Sequence, residues 1–247
     1  MKICVAQTRP VSGEIAPNIE AHLKLIALAM ERGAELIVFP ELSITGYEPD
    51  LATCLATDKD DLRFRVFQDI SNAHKITVMI GAPIQAPEGV RIGLIIFQPH
   101  KPTSVYCKQH LHADELPFFV HGTEQVFLGE NTDKLALSIC YEMSIPEHSA
   151  NAAKHRATIY LSSSAKSFQS IETGLATLSG IAKKYSMMAL LSNCVGHCDN
   201  FDCAGKSSAW NSEGELIGQL DEIGEGILIV DTKSGELIEA TSGLLQV

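Results

Sequence analysis

Leu135-Ala136-Leu137-Ser138-Ile139-Cys140-Tyr141-Glu142-Met143-Ser144-Ile145-Pro146-Glu147 is the stretch on which the reading of this chain turns. Its first five residues are apolar or small and predict a short buried strand. Cys140 follows at the strand's end, and a helix is expected over residues 145–155, with Pro146 fit for its first turn. A strand that delivers a cysteine to a turn beside a helix N-terminus is good geometry for a nucleophile. Backbone N–H groups at such an end favour negative charge, on a thiolate and on an oxyanion alike.

Two other segments share the design. Leu36-Ile37-Val38-Phe39-Pro40 runs to Glu41, and Val105-Tyr106-Cys107 runs to Lys108. In layered α/β proteins the strand ends converge on the crevice where ligands bind. Nucleophile, base and cation are the parts that acyl transfer requires. Taken singly, a free cysteine is usually a small buried hydrophobe, and a glutamate or lysine after a strand a solvated charge. Those separate readings leave unexplained why three strands end on three reactive residue types.

Outward from these segments, strand and helix alternate. Residues 2–7 read as a strand, and Ile19, Leu23, Ile26, Ala27 and Met30 form a helical stripe closed by Gly33. Residues 62–74 predict a helix and 76–80 a strand. Ile171, Leu175, Leu178, Ile181 and Tyr185 mark another helical face between the strands 157–161 and 188–192. The alternation predicts a layered α/β architecture. With no linker or repeat in view, residues 1–247 are expected to form one domain.

A chain of 247 residues can bury a sizeable core, and 45% hydrophobic with 20% charged residues suits a soluble globular protein. The net charge of 19 − 30 = −11 argues against a nucleic-acid partner, since no basic stripe exists to neutralise phosphates. No apolar run approaches the ~18 residues of a membrane span, so no membrane partner is expected. The opening stretch 1–7 is too short for a secretory leader. Seven cysteines, an odd number in a long chain, point to a reducing cytoplasm.

Three blocks carry a family resemblance: Phe39-Pro40-Glu41-Leu42 with Thr45-Gly46-Tyr47, then Tyr106-Cys107-Lys108-Gln109-His110-Leu111, then Ile139-Cys140-Tyr141-Glu142 with Pro146-Glu147. In order and spacing they resemble the signature blocks of the nitrilase, or carbon–nitrogen hydrolase, superfamily. The likeness continues through Ser192-Asn193-Cys194-Val195-Gly196 and Gly205-Lys206-Ser207. It implies an α/β fold of four layers, an αββα sandwich that dimerises or forms a higher homo-oligomer, and it implies no cofactor and no metal. By the same resemblance Cys140 is the nucleophile, Glu41 the general base and Lys108 the stabiliser of the tetrahedral intermediate. The backbone N–H of Tyr141 shares the oxyanion, and Tyr47 either lines the pocket or caps the core. Glu115 is the nearest match to a second glutamate that many relatives carry, although Asp114-Glu115-Leu116-Pro117 departs from their pattern. Glu142 is expected to bond backbone near the nucleophile turn.

The expected activity is hydrolysis of a small linear amide through a cysteine thioester. Its rivals on the same residues are N-carbamoyl amide hydrolysis and nitrile hydrolysis. From another class comes an idle binding or metal-sensing module. Cys194, His197, Cys198 and Cys203 suggest zinc, but the paired C-x-x-C knuckles of such sites are missing. Gly205-Lys206-Ser207 fails as a phosphate loop because Asn200 stands where its first glycine belongs. Ser163-Ser164-Ala165-Lys166 fits S-x-x-K, yet it ends a strand instead of opening a helix.

Overall fold

Short apolar runs with period two and longer stripes with period 3.6 cannot bury their faces alone, and here they do so in layers. The computed structural model describes residues 1–130 and 133–241. In order, its helices and strands are β1 (Lys2–Gln7), α1 (Ile15–Glu31), β2 (Leu36–Val38), α2 (Ala52–Leu55), α3 (Arg65–His74), β3 (Thr77–Ala86), β4 (Gly89–Phe97) and β5 (Ser104–Cys107). There follow β6 (Phe127–Leu128), β7 (Leu135–Ile139), α4 (Pro146–Lys154), β8 (Ile159–Ser164), α5 (Ile171–Tyr185), β9 (Met188–Asn193), β10 (Val195–Cys198) and β11 (Phe201–Ala204). β12 (Ser208–Trp210), β13 (Leu216–Gln219), β14 (Gly226–Asp231) and β15 (Leu237–Thr241) complete it.

One sheet runs β15-β14-β1-β2-β3-β4-β5, the other β13-β12-β9-β8-β7-β6, and β10 pairs with β11 as a separate hairpin. β1, β2 and β3 are parallel, as are β7, β8 and β9. β4 and β5 each reverse direction, so β5 runs in the same sense as β2.

Alternation along each strand sorts side chains into layers. Ile3, Val5, Leu36 and Val38 face the second sheet, where they share an apolar seam with Leu137, Ile139, Leu161 and Leu190. Cys4, Ala6 and Ile37 point the other way, onto Leu25, Ile26 and Phe67 of α1 and α3. Ala136, Tyr160 and Leu191 lie under Ala152 of α4 and Leu178 and Ile181 of α5. The result is the four-layer αββα sandwich. Each fully buried aliphatic side chain contributes roughly 1.5–3 kcal/mol. Serine hydroxyls pin the sheets together: Ser192 Oγ donates to the Ala6 carbonyl at 2.7 Å, and Ser163 Oγ to that of Phe39 at 2.8 Å.

The helix expected after the Cys140 turn is present: the chain makes a tight 3₁₀ turn over Cys140–Ser144, and α4 starts at Pro146. Ile145 is extended at φ −96°, ψ 108°, as a residue before proline prefers. β3 runs on to Ala86, well beyond residue 80, because its pairing with β4 carries it past Gly81 and Pro83.

Candidate active site

Cys140 sits at φ 45°, a left-handed conformation that is strained for a residue with a Cβ. The bend turns the half-buried side chain out of the sheet and into a cleft. Glu142, two residues on, holds the bend. Its Oε2 accepts the Ile139 N–H at 2.7 Å and the Tyr106 hydroxyl at 2.6 Å, and its Oε1 accepts the Gln109 N–H at 2.6 Å. The residue after Lys108 is thereby tied to the residue before Cys140. Behind Tyr106 stands His148, with Nε2 3.0 Å from the Tyr106 oxygen and Nδ1 2.8 Å from that of Tyr160. Since Tyr106 gives its only proton to Glu142, His148 donates from Nε2 and accepts at Nδ1.

Glu41 lies beyond β2 in a loop packed against β3. The fit depends on Gly81, where a Cβ would stand 2.3 Å from the Pro40 carbonyl oxygen and 2.4 Å from the Leu42 nitrogen. His22 of α1 supports the loop, stacking on Phe39 at 4.0 Å between ring centroids and meeting Ser43 Oγ at 2.9 Å.

Lys108, 0% exposed, donates to Glu41 Oε1 at 2.7 Å and to Glu115 Oε1 at 2.6 Å. Glu115 accepts in addition from the Tyr47 hydroxyl at 2.9 Å and the His112 N–H at 2.7 Å. Tyr47, left open between pocket and core, takes both places: it is buried, and it lines the cleft. Tyr141 stands on the wall with the His112 ring edge-on at 5.0 Å.

Burial sets the electrostatics. It raises Glu41 to about 7, against the opposing pull of the Lys108 charge. Burial works against the Lys108 charge too, but the flanking carboxylates outweigh it and hold the ammonium above its ordinary range. Burial and then Glu41 push Cys140 up to about 11, with Lys166 and Lys108 pulling the other way. The resting sulfur is therefore a thiol. The backbone field at the turn, which favours a thiolate, is outweighed by desolvation and the neighbouring Glu41 carboxylate. Glu41 Oε2 accepts no conventional hydrogen bond from the described residues, while the Cys140 thiol acts on this carboxylate as a donor. A thiol beside a carboxylate with a near-neutral pKa is suited to proton transfer from sulfur to oxygen.

The cleft has a volume of about 810 Å³, within the range of small-molecule sites. Lys108, Glu115, Cys140, Tyr47 and Tyr141 line it, and Glu41 stands buried behind Lys108. Six residues singled out in the sequence thus come to one place. Lys166, which falls within the S-x-x-K match, lines the same cleft. Its signal was the one that marked the others, a reactive residue just past an apolar strand. The serines of that match are engaged elsewhere, Ser163 with the Phe39 carbonyl and Ser162 with Ser164. Cys194, Cys198 and Cys203 are buried together with all three Sγ atoms within 4.8 Å of one another. His197 takes no part, being exposed and paired with Asp202.

The sequence profile described as carbon-nitrogen hydrolase matches residues 2–241. The chain is 25% identical over 241 residues to the glutamine-dependent NAD(+) synthetase of Thermotoga maritima, covering 94% of this chain and 42% of that protein. It thus spans about two fifths of that relative's length. It is 24% identical to a hydrolase in the agr operon of Staphylococcus aureus, over 96% of this chain and 93% of the relative. Among solved structures, a mutant amidase from Nesterenkonia sp. AN1, with acrylamide added to its active-site cysteine, superposes with a TM-score of 0.84 at 23% identity. The superposition covers 94% of this chain and 92% of that one, a likeness of fold.

Proposed function

The chain belongs to the carbon–nitrogen hydrolase family of the nitrilase superfamily, and from that premise we propose that it hydrolyses a small linear amide through a thioester on Cys140. The observation that carries this reading is the buried Lys108 ammonium, held at 2.7 Å by Glu41 and 2.6 Å by Glu115 beside the cleft into which Cys140 turns.

Glu41 takes the proton of the Cys140 thiol as the sulfur attacks the amide carbonyl. Lys108 and the backbone N–H of Tyr141 receive the oxyanion, each such donor lowering the barrier by roughly 3–4 kcal/mol. Glu41 returns the proton to the nitrogen, the C–N bond breaks, and ammonia or an amine leaves. Water, deprotonated by the same carboxylate, then attacks the thioester. The acid departs, and its sulfur leaving group regains the proton from Glu41. Glu115 keeps Lys108 in place and Tyr47 keeps Glu115 in place. These steps use only side chains, backbone and water.

The neighbouring amidase with acrylamide on its active-site cysteine supports a cysteine nucleophile, and glutamine, in the name of the NAD(+) synthetases, is itself a linear amide. The seam shared by both sheets supports one domain over 1–247. Seven free cysteines support a reducing cytoplasm. The family resemblance supports a homodimer or higher homo-oligomer. Among the described residues no helix is long and apolar enough to cross a membrane.

The test is ammonia release across a panel of small amides, carbamoyl amino acids and nitriles, with Cys140→Ala as the blank. Release from amides that vanishes in the blank is expected, with a covalent acyl adduct on Cys140 trapped in Glu41→Gln. Carbon dioxide released with the ammonia would point to the carbamoyl reaction. Silence across the panel, with no adduct trapped, ends the proposal.

A further inference from the structure

Lys166 stands two residues beyond β8 and is only 8% exposed, yet it is unlike Lys108 in one respect. Lys108 has two carboxylates. Among the described residues the Lys166 ammonium has no ion-pair or hydrogen-bond partner at all. A cation that lines a ligand cleft with no counter-charge from the protein is free to pair with an anionic group that a ligand brings.

The surrounding fold holds this lysine in place. Asn193 clamps its backbone, accepting the Lys166 N–H at 2.7 Å and donating to the Lys166 carbonyl at 3.3 Å. The Ala204 N–H donates to the same carbonyl at 2.9 Å. The aliphatic stem passes over α5 at Gly174, where a Cβ would stand 2.7 Å from both Cδ and Cε. Lys166 lines the cleft together with Ser170, the N-cap residue of α5, and Thr173 in that helix's first turn, an end that itself favours negative charge. While burial and Glu41 push the Cys140 thiol up, Lys166 pulls it down ahead of Lys108, in keeping with a position near the sulfur. Nearby acids are committed elsewhere: Asp114 meets His112, Asp202 meets His197, and Glu172 meets Lys206.

We infer that Lys166 receives a carboxylate carried by the substrate, so that the preferred amides are dicarboxylic acids amidated at one end. The inference rests on the amide-hydrolase reading for its turnover measurements, but its binding measurements stand apart from that reading.

Succinamate against butyramide, and glutaramate against valeramide, are matched pairs in which a carboxylate replaces a terminal methyl. The native chain is expected to favour the acid of each pair at least tenfold in kcat/KM. That ratio should fall at least tenfold in Lys166→Gln. In Gly174→Ala the new methyl displaces only the flexible end of Lys166, so the protein should fold and the ratio should drop again. Calorimetric binding of the same pairs to Cys140→Ala reads the preference without turnover. Tighter binding of the acids with no hydrolysis of any amide would fault the chemistry and leave the Lys166 subsite standing. Equal or weaker binding of the acids overturns the subsite, as does a Lys166→Gln protein that loses both members of a pair equally, since such a lysine acts on the sulfur alone.

Discussion

Glu142 accepts the backbone N–H of Gln109 at 2.6 Å across 33 residues of sequence, so the turn that presents Cys140 and the strand end that presents Lys108 share one carboxylate. The bond crosses from one sheet to the other. It makes the spacing of sulfur and ammonium a property of the packed sandwich, independent of either loop alone.

Replacing Glu142 with glutamine should therefore be severe. The amide replaces one of the two acceptor oxygens with an N–H donor, which must then face either the Ile139 and Tyr106 protons or the Gln109 proton. Hydrogen bonds to a charged group are worth about 1.5–3 kcal/mol each, and a loss of about 3–5 kcal/mol in urea unfolding is expected, with at least a hundredfold loss in kcat/KM. A Glu142→Gln protein with native stability and activity contradicts the shared-carboxylate account.

Activity should rise with pH and level off above about 7. Glu41 must be ionised to accept the thiol proton, and its pKa is raised to about 7 by burial, while Cys140 at about 11 stays protonated throughout that range. Below pH 7 the rate should drop about tenfold per unit. A pH profile of kcat/KM checks this, and one that is flat from pH 5 to 7 assigns the base elsewhere.

Stability should fall on acidification. His22 is lowered from 6.5 to about 4, and His148 from 6.5 to about 3, in each case chiefly by burial. Between those values and 6.5 the unfolded chain binds more protons than the folded one. Their contribution is complete above pH 6.5 and is lost as pH falls toward 4 and below, on the order of 3 kcal/mol for His22. Melting temperatures measured from pH 7 down to pH 4 should decline; a constant value means these rings are not held neutral.

Gly81→Ala should harm the site more than its size suggests. The added methyl meets backbone at 2.3 Å and 2.4 Å, so the loop carrying Glu41 must move off β3. A melting temperature lower by several degrees and at least tenfold lower kcat/KM are expected, the rate loss exceeding what partial unfolding explains. Retained kcat/KM would mean that Glu41 tolerates a displaced loop.

Thiol labelling should divide the cysteines. Cys54, exposed, and Cys140, half-buried in the cleft, should react with iodoacetamide in the folded protein. Cys194, Cys198 and Cys203 should label only after unfolding, because each is 1% exposed. Mass mapping of labelled peptides at increasing urea resolves the two groups.

Much of this was legible in the chain because it depends on local pattern. Period-two runs such as 135–139 and the 3.6-period stripe of α5 state which face is apolar, and burying those faces yields the layers. Glu41, Lys108 and Cys140 could be picked out because each follows an apolar strand, and strands of one sense end on one side. Glu115 follows no apolar strand, so the pattern that marks the other three does not mark it. What carries it to Lys108 is the turn over 112–119, whose geometry rests on backbone hydrogen bonds that no spacing rule encodes. The place of Tyr47 depends on the same turn, through its hydrogen bond to Glu115.

The charge states belong to the tertiary structure alone. Sequence places a cysteine beside a helix end, where a thiolate is favoured, but desolvation and the approach of Glu41 reverse that preference. Lys166 shows the same division: its residue type and strand-end position are written in the chain, whereas its place on the cleft wall without a counter-charge arises from Asn193, Gly174 and α5 packing around it. Periodicity is a property of neighbours in sequence and survives without the fold. Solvation and charge pairing are sums over neighbours in space, and these exist only once both sheets have packed.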